Sequence, residues 1–206
     1  MRERKRDLYY RLAKKHGFRS RAAYKLKQMQ KKYRIISRGD VVVDLGAAPG
    51  GWMQVARDAV GEKGFVLGVD LREIRPLGYE NTATIKADVT EPDTPKKILG
   101  AIPRKADVVL SDLAPNVSGI WELDHARQIE LAEKALKIAE EVLKPEGNML
   151  IKVFQGEMME DFIRKLKRRF RHVKLVKPKA SRSRSAEIYV LGFGFRKHSQ
   201  SMDLVR

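Results

Sequence analysis

The chain contains no cysteine among its 206 residues. Disulfide bonds, cysteine-based zinc sites and thiol nucleophiles are therefore excluded. The histidines are scattered at His16, His125, His172 and His198, without the spacing of metal ligands, so we expect no metal site. No stretch approaches about 20 apolar residues, and the N-terminus is charged from residue 2 without the apolar core of a signal peptide. We expect a cytoplasmic protein, a monomer, with no membrane partner.

Acidic residues are scarce in two segments that are rich in lysine and arginine. Residues 1–34 hold 14 Lys/Arg and 2 acids, and residues 162–184 hold 11 Lys/Arg and no acid. The net charge of the whole chain is +17, so the remainder of the chain is mildly acidic. Solvated charged faces usually mix signs, whereas segments of one sign are typical of proteins that bind a polyanion. We therefore predict a nucleic acid as partner and these two segments as its binding surface.

The most informative local pattern is a strand that ends in a glycine-rich turn and a helix. A strand over 41–45 leads into Asp-Leu-Gly-Ala-Ala-Pro-Gly-Gly at 44–51, and residues 51–60 can form a helix. Glycine lets the backbone approach a ligand, and a helix N-terminus offers free N–H groups. The next strand, 65–70, ends at Asp70, which suits a carboxylate that binds ribose hydroxyls. The pattern indicates a nucleotide-like cofactor; the alternative is a purely structural strand, turn and helix.

Strands and helices alternate along the rest of the chain. Further strands are predicted near 83–87 and over 106–111, 148–154, 172–177 and 186–195; further helices are predicted over 21–33 with Ser20 as N-cap, up to Leu99, over 123–144 with a stop at Pro145-Glu146-Gly147, and over 157–169. This order predicts an α/β fold with a mostly parallel seven-stranded sheet, helices on both faces and an antiparallel C-terminal strand. We divide the chain into a basic extension (1–19), one domain (20–196) and a tail (197–206).

Seven short motifs then follow one another along the chain. They are Ser-Arg-Ala-Ala-Tyr-Lys-Leu (20–26), Asp-Leu-Gly-Ala-Ala-Pro-Gly-Gly-Trp (44–52), Val-Asp-Leu (69–71), Ala-Asp-Val-Thr (87–90), Ser-Asp-Leu-Ala-Pro-Asn (111–116), Ile-Lys-Val-Phe-Gln-Gly (151–156) and Ser-Arg-Ser-Ala-Glu-Ile-Tyr (183–189). Together they resemble the FtsJ/RrmJ-type family of S-adenosylmethionine-dependent RNA ribose 2′-O-methyltransferases. The resemblance implies a Rossmann-like class I methyltransferase fold, S-adenosyl-L-methionine as cofactor and RNA as substrate. Because the chain is small and has no obvious added domain, it looks most like the type that modifies a uridine of 23S (large-subunit) rRNA; the alternative is the anticodon loop of tRNA.

The resemblance implies a catalytic tetrad of Lys25, Asp112, Lys152 and Glu187. A ribose 2′-hydroxyl is a poor nucleophile and the methyl group of a sulfonium is already activated, so the enzyme must align the two and take a proton. We expect Lys152 to be the base, with Lys25 tuning it or steering the substrate. Asp112 is expected to orient Lys152, and Glu187 to orient a lysine or bind the ribose. The alternatives are an exposed helix lysine at 25, a turn-forming aspartate at 112 and an edge-strand glutamate at 187.

The same resemblance implies the cofactor contacts. They are Gly46, Gly50 and Trp52 for the methionine part, Asp70 for the ribose hydroxyls and Asp88 for the adenine amino group, with Asp112 also at the cofactor. Trp52 has core packing as its alternative role, and Asp88 has capping of the turn toward Pro92.

Two other functions compete with methyl transfer. A nicotinamide-dependent dehydrogenase would share the loop and the ribose carboxylate, but the chain lacks room for a substrate domain and the basic ends would stay unexplained. Mass spectrometry of bound ligand would separate the two. An RNA-binding assembly factor with a methyltransferase-like fold is the non-enzymatic alternative, and the complete tetrad argues against it.

Overall fold

The computed structural model describes residues 2–182 and 184–197, with side chains from residue 8 onward. Its strands are β1 (Val41–Leu45), β2 (Phe65–Asp70), β3 (Thr82–Lys86), β4 (Ala106–Ser111), β5 (Leu143–Phe154), β6 (Phe170–Val176) and β7 (Glu187–Phe195). They form one sheet in the order β3-β2-β1-β4-β5-β7-β6. Strands β1 to β5 are parallel, and β7 pairs antiparallel with both β5 and β6. The predicted seven-stranded, mostly parallel sheet with antiparallel C-terminal pairing is confirmed.

Helices cover both faces of this sheet. They are α1 (Arg2–Lys15), α2 (Ala23–Tyr33), α3 (Gly51–Val60), α4 (Thr94–Ala101), α5 (Trp121–Val142) and α6 (Met159–Arg169). Apolar residues of α2 and α3 pack on one face, while those of α4, α5 and α6 pack on the other. The central strand β1 is buried along its whole length, as the run of three valines predicts.

Two predicted helix ends are wrong, and both errors come from contacts that the local sequence does not show. Ser20 is not the N-cap of α2, because the chain first makes a turn in which the backbone N–H of Ala23 bonds to the Ser20 carbonyl, and the helix begins after Ala22. Helix α5 ends at Val142 rather than at the proline-glycine stop, because Leu143 already pairs with Ala106 of β4. The proline-glycine stretch is an irregularity inside β5. The start of β5 is also wrong, since the strand begins at Leu143 and not at residue 148. Every remaining predicted helix or strand bound lies within two residues of the observed one.

The N-terminal segment is helical and lies against the body of the protein. Ala13 of α1 is buried together with Tyr24 of α2 and Ala180, and the ring of Tyr9 lies 5.4 Å from that of Tyr24. The predicted tail beyond Lys197, like Met1 and Ser183, lies outside the described residues.

The strand directions bring distant parts of the chain to one edge of the sheet. Strands β1, β2, β4 and β5 all end at this edge, and β7 starts there because it runs the opposite way, with Glu187 opposite Phe154. Below, this edge is called the carboxyl edge, and the opposite one the amino edge.

Candidate active site

Two lysines and two carboxylates meet at the carboxyl edge. The Lys152 Nζ lies 3.2 Å from Asp112 Oδ1 and 3.8 Å from Glu187 Oε1. It also donates a hydrogen bond of 2.8 Å to the backbone carbonyl of Asp112. On the other side, Lys25 Nζ donates to Glu187 Oε2 at 3.0 Å. The structure therefore brings together all four residues of the predicted tetrad, with Glu187 between the two ammonium groups.

The secondary structure explains this convergence. Asp112 directly follows β4, and its N–H bonds to the Leu45 carbonyl at the end of β1. Lys152 lies in β5, and Glu187 begins the neighbouring β7. Lys25 comes from α2, which packs against the sheet through Leu26 and Met29 on the same stretch of helix.

The lysines of the tetrad are unusually buried for their residue type. Lys25 is 9% exposed and Lys152 is 4% exposed, whereas lysine is almost never buried without a partner. Lys25 is therefore not the exposed helix residue of the alternative reading. Burial alone would raise the pKa of Glu187, but the charges of Lys25 and Lys152 outweigh it and hold this pKa below its ordinary value. Glu187 is thus held as an anion between two cations.

Tyr189 is a member of this cluster that the sequence analysis did not select. Its hydroxyl donates a 2.8 Å hydrogen bond to Asp112 Oδ1, and its side chain is fully buried. Burial raises the pKa of Tyr189 well above its ordinary value, and the charges of Asp112 and Glu187 add to the effect. Tyr189 therefore remains a hydrogen-bond donor that fixes Asp112. Its position two residues after Glu187 on a strand, and so on the same face, is the signal that could have found it.

The predicted cofactor turn has a backbone that requires glycine. Gly46 has φ +77° and Gly50 has φ +103°. A Cβ atom on Gly46 would come within 2.9 Å of the Leu113 side chain, and one on Gly50 within 2.9 Å of the Arg19 guanidinium. These are backbone conformations that other residues rarely adopt, so both glycines are required for this turn.

Asp70 lies at the end of β2 beside this turn, and its carboxylate holds two loops. One oxygen accepts the N–H of Ala48 at 2.9 Å, and the other accepts the N–H of Arg72 at 2.8 Å. Oδ1 also accepts the Nε–H of Arg72 at 3.4 Å, whereas Oδ2 keeps a further lone pair that can accept a hydroxyl. This arrangement fixes the side chain at the place where the sequence predicts ribose binding.

Trp52 and Asp88 occupy positions that agree with their alternative roles. The Trp52 indole is 3% exposed, donates to the Ala22 carbonyl and packs 5.7 Å from the Tyr189 ring. It contributes core packing, and any cofactor contact at this residue falls to its backbone in the first turn of α3. Asp88 accepts the N–H and hydroxyl of Thr90. These two hydrogen bonds, above all the one from the Thr90 backbone N–H, lower the pKa of Asp88. Asp88 therefore stabilises a turn at the carboxyl edge as an anion.

A buried carboxyl beside the tetrad has no partner. Asp44, the last but one residue of β1, is 0% exposed, and neither of its oxygens is hydrogen-bonded to any described residue. Burial raises its pKa well above the ordinary value, and the charges of Asp112 and Asp70 raise it further. An unsatisfied buried carboxyl is costly, so this position points to a function for Asp44 rather than to a contribution to stability.

The basic segments do not form one continuous surface at this edge. Helix α6 leaves the carboxyl edge and ends at Arg169, beside the start of β6 at the amino edge. Lys165 and Arg169 there pair with glutamates of α5. The structure therefore divides the segment 162–184, and the end of α6 lies away from the carboxyl edge. Residues 177–182 do lie at the carboxyl edge, where Arg21 donates to the Ala180 carbonyl.

Arg19, a predicted RNA contact, binds the protein itself. Its guanidinium donates to the carbonyls of Pro49, Arg75 and Pro76, and its backbone N–H donates to the Gln54 side chain. Arg19 thus connects the segment before α2 to both loops around the cofactor turn.

The described residues contain neither a candidate membrane span nor a candidate metal site. Within residues 2–182 and 184–197, no helix combines the length and the apolar character needed to cross a bilayer. In the same ranges, no three His, Cys, Asp or Glu side chains are grouped to hold a metal ion.

Comparison with known proteins places this geometry in a family. The sequence model described as FtsJ-like methyltransferase matches residues 18–195. The chain is 52% identical over 192 residues to a protein of Methanocaldococcus jannaschii, which covers 92% of this chain and 78% of that protein. It is 55% identical over 192 residues to a protein of Methanosarcina acetivorans, which covers 93% of this chain and 69% of that protein. Both relatives carry the name ribosomal RNA large subunit methyltransferase E.

Two solved structures share the fold. One is a Plasmodium falciparum protein described as a ribosomal RNA methyltransferase, with a TM-score of 0.79 and 26% identity, which covers 88% of this chain and 100% of that one. The other is Aeropyrum pernix fibrillarin, solved with bound S-adenosyl-L-methionine, with a TM-score of 0.60 and 19% identity over 84% of this chain and 74% of that one. The second shows likeness of fold alone. The family match and the closely similar relatives together show that this chain belongs to the FtsJ-like methyltransferase family.

Proposed function

We propose that this protein transfers the methyl group of S-adenosyl-L-methionine to a ribose 2′-hydroxyl of large-subunit ribosomal RNA. The observation that carries the proposal is the placement of Lys152 Nζ between Asp112 and Glu187, beside a glycine turn at the carboxyl edge. The names of the similar relatives support ribosomal RNA over the tRNA alternative. Membership of a methyltransferase family argues against both a dehydrogenase and a protein that only binds RNA.

The residues around the turn fit this cofactor. Asp70 Oδ2 has a free lone pair for a ribose hydroxyl, and the turn at Gly46 and Gly50 gives close access to the backbone. Asp44 offers an unpaired, buried carboxyl, and the cofactor carries an ammonium and a sulfonium group that a carboxylate can neutralise. Bound there, the cofactor supplies a methyl group that is already activated for transfer.

Lys152 is the residue placed to handle the proton. In its neutral form, Lys152 Nζ is placed to take the proton of the 2′-hydroxyl as that oxygen accepts the methyl group. The bound cofactor would supply this methyl group, and its sulfur would keep the electron pair of the broken bond and leave as a neutral sulfide. Asp112 and Glu187 hold the ammonium product until the proton passes to solvent.

The remaining cluster residues hold Lys152 and the substrate in place. Tyr189 fixes Asp112, and Asp112 fixes Lys152 through both its side chain and its carbonyl. Lys25, held by Glu187, brings a second positive charge to the side on which Arg21 contacts Ala180. Such alignment is the main contribution that an enzyme makes when the methyl donor is already reactive.

We also propose that RNA lies across basic residues of α1, of α2 and of residues 177–182, which follow β6. The protein is proposed to act as a monomer in the cytoplasm. Light scattering of the purified protein tests the monomeric state, and a mass of twice 23.6 kDa would contradict it.

Mapping of 2′-O-methylated riboses in total RNA tests the function. Cells that lack this protein are expected to lose one methylated ribose in large-subunit rRNA, and a plasmid copy should restore it while a Lys152→Ala copy should not. Loss of a mark in tRNA alone would favour the alternative substrate. A methyl group found on a base, or purified protein that does not bind the cofactor, would overturn the proposal.

A further inference from the structure

An apolar surface borders the tetrad and takes no part in the chemistry described above. Its members come from the loop after β4, the start of α5 and the loop after β5: Val117, Ile120, Trp121, Leu123 and Met158. All are between 38% and 71% exposed. Exposed apolar side chains grouped beside a reaction centre indicate a binding surface.

Trp121 is the only aromatic member of this group, and other rings hold it. The indole is 45% exposed. It stacks on His125 with the ring centroids 5.7 Å apart and the planes within 16°, and on Phe154 at 6.2 Å and 18°. The two neighbours therefore fix the orientation of an indole that is nearly half exposed, and the three rings are called the aromatic platform below.

The supports of the platform are themselves rigid. His125 is buried, its Nε2 accepts the N–H of Met158, and it packs so closely on Gly156 that a Cβ atom there would come within 2.6 Å of the ring. Asp124 accepts hydrogen bonds from the backbone of Ser118 and Gly119 and so fixes the loop before Trp121. A surface held in this way loses little conformational entropy when a flat ligand binds.

The register of the sheet places the platform next to the tetrad. Phe154 lies two residues after Lys152 on β5, about 7 Å along the strand, and its Cα is paired with that of Glu187 on β7. Gln128 of α5 donates to the carbonyls of Lys152 in β5 and Leu113 after β4. These bonds attach the helix that carries Trp121 to the segments that carry Lys152 and Asp112. A nucleotide beside the reacting ribose is therefore within reach of Trp121.

The charges around the platform favour a base over a phosphate. Glu122 and Glu157 are exposed next to its members in the chain, and carboxylates repel the RNA backbone. The basic residues lie on another side of the tetrad, where Lys25 of α2 contacts Glu187 and Arg21, just before α2, contacts Ala180. Phosphates would thus be held on that side, while an unstacked base turns toward the apolar side.

We propose that Trp121 stacks on an unpaired nucleobase of the RNA, one that flanks the methylated ribose. This inference rests on the proposed function, since it assumes an RNA whose ribose enters the tetrad. Single-stranded RNA is commonly held by stacking of splayed bases on aromatic side chains, and such stacking tolerates any base because every base has a π-face. The platform supplies that contact, and the tetrad supplies the chemistry.

Tryptophan fluorescence tests the contact without any methyl transfer. The chain has two tryptophans, and Trp52 is buried, so Trp121 is the one that a base can reach. Titration with a single-stranded RNA of ten uridines should quench the emission of the wild type and leave Trp121→Phe, which keeps Trp52, unchanged. An oligomer of equal length whose riboses carry no bases should bind through its phosphates and leave the emission unquenched. Equal quenching by both oligomers would overturn the proposal.

Steady-state kinetics test the consequence. With deproteinised large-subunit rRNA from cells lacking this protein, Trp121→Leu should raise KM about 5- to 100-fold, since the apolar bulk remains but the stacking is lost. Trp121→Phe should keep most of the affinity. Tyr79→Ala is the matched control, because Tyr79 is a similarly exposed aromatic residue that precedes β3 at the amino edge, and it should leave KM unchanged.

Three further results separate this inference from its alternatives. Normal KM in Trp121→Leu, with normal cofactor affinity and methylation in the wild type, would overturn the role of Trp121 and leave the proposed function intact. Absence of RNA methylation in the wild type would overturn both. An effect of Trp121→Leu on assembled large subunits but not on free rRNA would mean that the platform contacts a protein, and would also overturn the proposal.

Discussion

Asp44 and Asp107 are both buried, on the adjacent central strands β1 and β4, but they lie at opposite ends of these strands and differ in their partners. Asp107 lies at the amino edge. It accepts the N–H of Val41 at 2.7 Å and pairs with Arg104 and Lys144. Asp44 lies at the carboxyl edge, and neither of its oxygens has a partner among the described residues.

The pKa values of the two carboxyls differ in the same sense. Burial alone would raise the pKa of Asp107, but Lys144, the Val41 N–H and Arg104 outweigh it, and the pKa lies below its ordinary value. For Asp44, burial and the charges of Asp112 and Asp70 all raise the pKa. Asp107 at the amino edge therefore stabilises the fold. Asp44 at the carboxyl edge lowers stability, as is typical of residues in ligand-binding sites. Substitutions at the two edges should accordingly affect different measurements.

The largest expected effect is on turnover at the carboxyl edge. Lys152→Ala removes the residue placed to take the proton and should lower the single-turnover rate by roughly 10²–10⁴. Cofactor affinity, measured by calorimetry, should stay unchanged. Lys105→Ala is the amino-edge control, because the side chain of this lysine is exposed and donates a hydrogen bond to the Glu141 carbonyl, away from the tetrad. A Lys152→Ala enzyme that keeps most of its rate would remove Lys152 from the role of base.

The next effect is on cofactor affinity. Asp70→Ala should weaken binding of S-adenosyl-L-methionine by about ten- to a hundredfold, the worth of a hydrogen bond to a charged group. Asp93→Ala, which removes an exposed carboxylate of the α4 N-terminus, is the control. If the two variants bind the cofactor equally well, Asp70 does not bind its ribose.

A smaller effect concerns stability and its dependence on pH. Asp107→Asn should lower the free energy of unfolding by about 1–3 kcal/mol at pH 7, because the Val41 N–H and two cations lose a charged acceptor. Since the pKa of Asp107 is lowered by folding, its contribution is present above the unfolded pKa of about 3.9 and is lost as the pH falls through the folded pKa. The difference between wild type and variant should therefore shrink in acid. Denaturant titrations at pH 7 and pH 3 measure it, and a difference that grows in acid would contradict the sign.

The smallest effect separates the basic residues of the two edges. Lys179→Ala, at the carboxyl edge, should flatten the salt dependence of RNA affinity by somewhat under one unit of log–log slope, because each phosphate contact contributes about 0.7 for a single strand. Arg168→Ala, in the last turn of α6, should leave the slope unchanged. Equal slopes for both variants would mean that RNA does not distinguish the two edges.

The sequence predicts most of the fold because those signals are local, whereas the tetrad is predicted from the family resemblance of the seven motifs. The valine run of β1, the glycines of the turn and the carboxylate that ends β2 each lie within a few residues of one another. The pairing of Lys152 with Asp112 and Glu187 follows once the strands are ordered, since parallel strands end at the same edge.

Other features depend on contacts between distant residues and could not be predicted in this way. The isolation of Asp44 reflects which groups fail to reach it, and the anchoring of Arg19 on three carbonyls depends on the loop after β2. The direction of α6 carries its basic residues away from the site although the charge pattern groups them with residues 177–184. The composition of a segment shows its charge but not the edge to which the fold assigns it.

Asp44→Asn and Asp107→Asn, compared side by side, test the contrast between the edges most directly. Each variant is measured twice at neutral pH, for the affinity of S-adenosyl-L-methionine and for the free energy of unfolding without ligand. We expect Asp44→Asn to lose about tenfold or more in cofactor affinity while its unfolding free energy stays equal or rises, because the amide keeps the shape of the side chain and loses no hydrogen bond to a described residue. Asp107→Asn should unfold more easily and bind the cofactor as the wild type does. Lower stability in Asp44→Asn with unchanged cofactor affinity would contradict the assignment of the carboxyl edge to ligand binding.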